Sequence, residues 1–106
     1  MKNRIFGPCG ITITNLASRQ GAITYYLLPE QWGPGLATET VTTLLKFGFN
    51  ELGLHRLFAT VDPENIASWK VLEKLGLRRE GHHREERKIR GEWRDRYIYA
   101  ILLNEY

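Results

Sequence analysis

The chain has 106 residues, 42% of them apolar and 25% charged, with fifteen Lys and Arg against twelve Asp and Glu and a single cysteine. A chain of this size buries only about two-thirds of its unfolded surface, which suffices for one domain and excludes two. The lone Cys9 excludes an intramolecular disulfide framework; with no charged-then-apolar leader and no apolar run of about 18 residues, a cytoplasmic protein without a membrane segment is expected.

Residues 10–16 alternate Ile with Thr, the period of a half-buried strand, and Ser18-Arg19-Gln20-Gly21 supplies a turn. A second strand, Ala22 to Leu28, completes a hairpin and stops at Pro29, which has no N–H to give to a ladder. Gln31-Trp32-Gly33-Pro34-Gly35-Leu36-Ala37-Thr38 then lies between a strand and a helix. Glycines there allow a backbone to approach an anion at a helix N-terminus, but they also mark ordinary turns, and the segment is neither a P-loop nor GxGxxG.

From Leu36 to about Asn50, Leu36, Val41, Leu44, Leu45 and Phe49 recur at helical spacing, and Gly53 punctuates the exit. His55 to Val61 alternates as a strand, and Asp62-Pro63 reads as a helix start with Asp62 capping and Pro63 at the first position. Ala67, Val71, Leu72 and Leu75 form the expected buried stripe, closed by Gly76. Two strands, about 78–90 and 93–104, finish the chain around Arg90-Gly91-Glu92. The order strand, strand, helix, strand, helix, strand, strand predicts an α/β (α+β) fold with a mixed, mostly antiparallel sheet around a central parallel pair.

The positive charge is local: seven cations face six acids in residues 1–77, eight face five in 78–96, and 97–106 holds one acid. Mixed signs describe a solvated hairpin and argue against a nucleic-acid surface, because counterion release needs uncompensated cations. A basic RNA-binding hairpin stands behind that reading. His82 and His83 are adjacent on a strand and point to opposite faces, so no metal site is expected. Trp69 and Trp93 read as packing residues and Cys9 as a small buried one.

Three motifs together resemble the GNAT N-acetyltransferase superfamily. Trp32-Gly33-Pro34-Gly35-Leu36-Ala37 is similar to its Q/R-x-x-G-x-G/A loop with Trp in the first position, and WGPGLATET resembles the subgroup that acetylates ribosomal-protein N-termini. Asn65-Ile-Ala-Ser68 with Val71-Leu-Glu-Lys74-Leu-Gly76-Leu77 is similar to the N-x-x-S-x-x-V-x-x-K-x-G-F helix. Glu80-Gly81, Arg84-Glu85, Gly91 and Asp95 fall on the closing hairpin in family order, so the resemblance covers about residues 10–106.

The resemblance implies an acyl-CoA N-acyltransferase fold and acetyl-CoA as co-substrate. Trp32 opens the loop, and the amides of Gly33, Gly35, Leu36, Ala37 and Thr38 would hold the coenzyme A pyrophosphate, whereas Pro34 cannot donate. Asn65 and Ser68 share a helix face and would meet the cofactor; read alone they are a cap and a small packing residue. A main-chain N–H near Leu27 and Leu28 would hold the oxyanion, Ser68 would serve the leaving thiolate, and Asp95, with Glu39 behind it, would take the ammonium proton through water. Glu39 also suits a helix first turn electrostatically. The acceptor is expected to be a primary amine, foremost a protein N-terminal α-amine; a non-catalytic coenzyme A-binding or protein-interaction remnant is the alternative.

In the resembled family a strand, two helices and another strand precede the residues corresponding to Ile11. The chain is accordingly expected to be one domain over 1–106, the C-terminal, cofactor-binding portion of an N-terminally truncated fold. Strand 10–16 would then expose an unpaired edge for a second copy or another chain to cover.

Overall fold

The computed structural model of the chain describes residues 2–6, 9–25 and 35–106, with side chains for 10–24 and 35–106. Its elements are β1 (Lys2–Phe6), β2 (Cys9–Asn15), β3 (Gln20–Tyr25), α1 (Leu36–Lys46), β4 (Arg56–Val61), α2 (Ile66–Lys74), β5 (Arg78–Ile89) and β6 (Glu92–Leu102). A π-helical turn, Phe47–Glu51, extends α1, and a 3-10 turn, Leu103–Glu105, follows β6. The sheet has six strands in the order β1-β2-β3-β4-β6-β5. Among the described residues only β3 and β4 pair in parallel, across the α1 crossover; the other neighbours are antiparallel. This is the expected mixed sheet with one parallel pair at its centre.

β1 was not legible in the sequence. It pairs with β2 from Lys2↔Ile13 to Phe6↔Cys9, so the strand expected to present an open edge, residues 10–16, is an interior strand and β1 is the edge. Lys2-Asn3-Arg4-Ile5-Phe6 carries no apolar alternation; a main-chain ladder with its neighbour makes it a strand.

Register places Ile11 opposite Ile23, Leu57 opposite Ile101 and Ala59 opposite Tyr99, all facing one side of the sheet. Val41, Leu44 and Leu45 of α1 and Leu72 of α2 close over them into one core. The second helix presents a different stripe from the expected one: Leu72 and Ser68 are buried, Val71 and Leu75 half-buried, and Ala67 exposed. Tyr99 is fully buried, and its hydroxyl donates to Glu73 (2.7 Å) and accepts from Arg79 Nε (3.0 Å), which ties α2 to the β5–β6 hairpin.

Both helices differ from expectation at one end, for local reasons. α1 widens into a π turn after Lys46 instead of running on regularly, which brings the Gly48 backbone against β4; a Cβ there would lie 2.7 Å from Leu57 Cδ1. α2 starts at Ile66 rather than Pro63, because Asp62 organises a turn first: its Oδ1 accepts the Glu64 N–H and its C=O accepts the Asn65 N–H, both at 2.9 Å.

Leu57 is fully buried at the centre of the sheet, beside the Gly48 contact. Leu57→Ala is expected to cost about 2–5 kcal/mol of unfolding free energy in urea titration.

Candidate active site

β3 and β4 pair only through Gln20↔Arg56, Gly21↔Leu57 and Ala22↔Phe58. Beyond that point β3 stays with β2 to Tyr25, and β4 stays with β6 to Val61↔Tyr97. Each strand keeps its outer partner, so sheet twist carries the two halves apart and their facing main chains part company. Backbone groups left without a ladder need other partners, which makes such an opening suited to a polar ligand. A cleft of about 240 Å³ lies there, lined by Ile23 and Thr24 of β3, Thr60 and Val61 of β4, and Asp62, Asn65 and Ser68 from the turn and first residues of α2.

Asn65 is the N-cap residue of α2 by backbone geometry, with φ −85° and ψ 70°, and its C=O accepts the Ser68 N–H at 3.1 Å. Its side chain makes no capping hydrogen bond and lines the cleft. An Asn at this position ordinarily spends its side-chain oxygen on a free helix N–H, worth ~1 kcal/mol. Here the cap reading does not hold. Ser68, only 5% exposed, stands one turn later on the same face and lines the same cleft.

The start of α1 offers a second set of donors. Gly35 has no side chain to cap it, and the Glu39 N–H makes the first helical bond, to Gly35 C=O at 2.9 Å. The N–H groups of Leu36, Ala37 and Thr38 therefore precede the intrahelical ladder. Gly35 has φ −105°, which any residue adopts, and a Cβ on it would meet nothing within 4 Å among the described residues. Its backbone conformation does not require glycine, and neither does packing against the described residues, whereas close approach by a ligand would. Leu27, Leu28, Trp32 and Gly33, the remaining expected cofactor contacts, lie outside the described residues.

Asp95 is placed elsewhere and does not line this cleft. On β6 it opposes a bulge of β5, where pairing jumps from His83↔Arg96 to Arg87↔Arg94 and Glu85 takes φ 47°. Its Oδ1 accepts the Glu85 N–H at 2.7 Å and its Oδ2 lies 2.7 Å from His82 Nε2. The Glu85 N–H foremost, and then His82, hold its carboxyl below the usual aspartate range. With both oxygens engaged and low basicity, it is suited to latching the bulge and poorly suited to taking a proton. Glu39 sits exposed in the first turn of α1 and also does not line the cleft.

The cleft-wall residue that sequence reasoning assigned only to capping is Asp62. Burial pushes its pKa up, but the Glu64 N–H, Arg94 and Arg87 outweigh this and hold it below the usual range. The acid in Asp62-Pro63 was visible; its partners, 25 and 32 residues away, were not.

On the hairpin, Arg78, Arg79, Arg87, Arg94 and Arg96 each lie within ion-pair distance of a carboxylate, as a solvated mixed-charge surface requires. His82 and His83 take separate carboxylates, Asp95 and Glu86. Trp69 packs as expected, donating Nε1–H to Pro63 C=O at 3.0 Å. Trp93 does not: it is 59% exposed, with the Lys88 ammonium 5.5 Å from its ring. No helix among the described residues is long and apolar enough to cross a membrane.

Residues 1–78 match the acetyltransferase (GNAT) domain family. A Bacillus licheniformis protein named as uncharacterized N-acetyltransferase p20 is 36% identical over 104 residues, covering 98% of this chain and 58% of that protein. Spermidine N(1)-acetyltransferase of Escherichia coli K12 is 32% identical over 92 residues (87% of this chain, 50% of that enzyme), and its ribosomal protein uS5-alanine N-acetyltransferase 31% over 82 (76% and 42%). The structure of spermidine N-acetyltransferase from Vibrio cholerae in complex with CoA and spermine superposes with a TM-score of 0.86 at 28% identity, over 92% of this chain and 58% of that one. The chain thus spans about half the length of the curated relatives it matches. Enzymes with two different named acceptors match it almost equally, so the ribosomal-protein subgroup is not singled out.

The Asp95 latch carries a pH signature. A carboxyl whose pKa is lowered by folding adds stability above its ordinary range and loses it as pH falls through the folded value. Between about pH 5 and pH 2 the thermal midpoint of Asp95→Asn should therefore fall less steeply than that of the wild type. Parallel slopes would remove the latch.

Proposed function

The chain belongs to the GNAT acetyltransferase family, and we propose that residues 1–106 form the acetyl-CoA-binding portion of an enzyme that moves an acetyl group directly from the thioester to a primary amine. The observation that carries this reading is the opening between β3 and β4, with Asn65 and Ser68 on its wall. The space beside Gly35, open among the described residues, supports it further.

In the proposed reaction the amine lone pair attacks the thioester carbonyl, forming the C–N bond and a tetrahedral oxyanion. Collapse breaks the C–S bond, coenzyme A leaves as the thiolate, and the new ammonium gives up a proton to water. Main-chain N–H groups in the Leu27-Leu28 region hold the oxyanion. The amides of Gly33, Gly35, Leu36, Ala37 and Thr38 hold the pyrophosphate at the start of α1, where the helix dipole favours negative charge, and Trp32 opens that loop. Asn65 binds the coenzyme along the cleft, and Ser68 hydrogen-bonds the departing sulfur. Asp95, with both carboxylate oxygens engaged on the hairpin, is assigned no step in this reading. The acceptor is a primary amine, with a polyamine and a protein N-terminal α-amine as its two candidate sources. Self-association is a further part of this reading, in line with the dodecameric spermidine N-acetyltransferase of Vibrio cholerae, and light scattering reads it.

Titration calorimetry with acetyl-CoA tests the cofactor assignment, and release of free thiol with spermidine or with N-terminal peptides tests transfer and separates the acceptors. Binding without release on any amine would favour a non-catalytic coenzyme A-binding module. Gly35→Glu is expected to abolish acetyl-CoA binding by setting a carboxylate against the phosphates, and unchanged affinity would refute the loop assignment. Ser68→Ala should lower kcat roughly 10- to 100-fold while leaving the acetyl-CoA Kd within about twofold.

A further inference from the structure

Asp62 stands where the chain leaves the sheet. β4 stops pairing with β6 at Val61↔Tyr97, while β6 runs back from there to Glu92 paired with β5 alone. The overhanging hairpin is therefore the neighbour of the turn that follows β4. From it Arg94 brings Nε (3.0 Å) and Nη2 (2.9 Å) onto Oδ2 of Asp62, and Arg87 adds its own Nη2 at 3.4 Å.

The other half of Asp62 works inside the turn. Oδ1 accepts the Glu64 N–H and the C=O accepts the Asn65 N–H, which brings Asn65 to the mouth of α2 with its side chain uncommitted to the helix. Trp69 holds the same turn from the helix side through Pro63 C=O. A lone exposed ion pair contributes little. Here, however, one carboxylate gathers a main-chain N–H and two guanidinium groups, and Asp62 and Arg94 keep only 21% and 27% of their side-chain surface exposed.

We propose that Asp62 and Arg94 are positioning residues: their ion pair docks the β5–β6 hairpin against turn 62–65 and so holds the Asn65 carboxamide in the cleft to receive coenzyme A. This rests on the acetyl-CoA reading of the cleft. The pair touches no reacting atom and acts through Asn65 alone. Asp62→Asn keeps an acceptor for the Glu64 N–H while removing the charge, and Arg94→Gln removes the guanidinium that pairs with both Asp62 and Glu64 while keeping the turn's own hydrogen bonds.

The test is a double-mutant cycle on the full chain, read as the acetyl-CoA dissociation constant. Asp62→Asn and Arg94→Gln should each weaken binding roughly tenfold when Asn65 is present and less than about twofold in an Asn65→Ala background, the size of coupling found for neighbours in one network. A general loss of stability would lower affinity equally in both backgrounds, and that result, or no loss in either, overturns the proposal. Should the wild type not bind acetyl-CoA, the cofactor reading falls by itself. The positioning claim is then decided by the Asn65 side-chain amide pair in a nitrogen–proton NMR correlation spectrum. That pair should shift or broaden in Asp62→Asn and Arg94→Gln, and unchanged resonances would overturn the claim.

Discussion

The parting of β3 from β4 after Ala22↔Phe58 is the constraint on which the rest of the molecule depends. Both strands are interior strands, each held by an antiparallel partner on its far side, and neither can turn to follow the other without losing that ladder. The sheet therefore opens at its centre, where a parallel ladder would otherwise continue. The crossover places α1 over the core on one face, and the chain leaving β4 must turn beside the opening before α2 begins. Cleft, helix starts and turn 62–65 all follow from one interrupted ladder.

What keeps the opening in shape is a set of ties from α2 and the hairpin. Tyr99 sits in the core with its hydroxyl between Glu73 and Arg79, and Arg79 lies 3.9 Å over the Tyr97 ring. Both hydrogen bonds offset the cost of burying the phenol, and they tie α2 to the hairpin at this point. Asp62 performs the same task a few residues earlier, for the turn and not the helix. The two ties bracket Asn65 and Ser68, the pair that the proposed function assigns to coenzyme A.

The order of elements from residue 10 onward was readable because each has its own period and punctuation: Ile-Thr alternation, the Val41-Leu44-Leu45 stripe, Gly76 at φ +95°. What escaped was held by distant partners. β1 has no apolar pattern and exists through its ladder with β2. The first turn of α2 was lost to Asp62, whose side chain competes with the helix for the Glu64 N–H. Asp95 looked like a free acid on a strand, and only the bulge opposite shows both oxygens engaged. Trp93 reads as a packing residue on the general behaviour of aromatics, but on a hairpin that overhangs the sheet it stays 59% exposed, with Lys88 across the ladder beside its ring.

By itself the sequence determined the fold class and carried the motifs that resemble the family, because periodicity, turn residues and motif order are local properties that survive without coordinates in space. Tertiary structure decided which of those residues share a cleft. It joined Asn65 and Ser68 to Thr24 and Thr60, removed Asp95, and turned Asp62 from a helix cap into the anchor of a hairpin. The physical reason is that a side chain's role depends on what reaches it. The groups that reach Asp62 come from residues 87 and 94, across two strands that no local pattern connects to it.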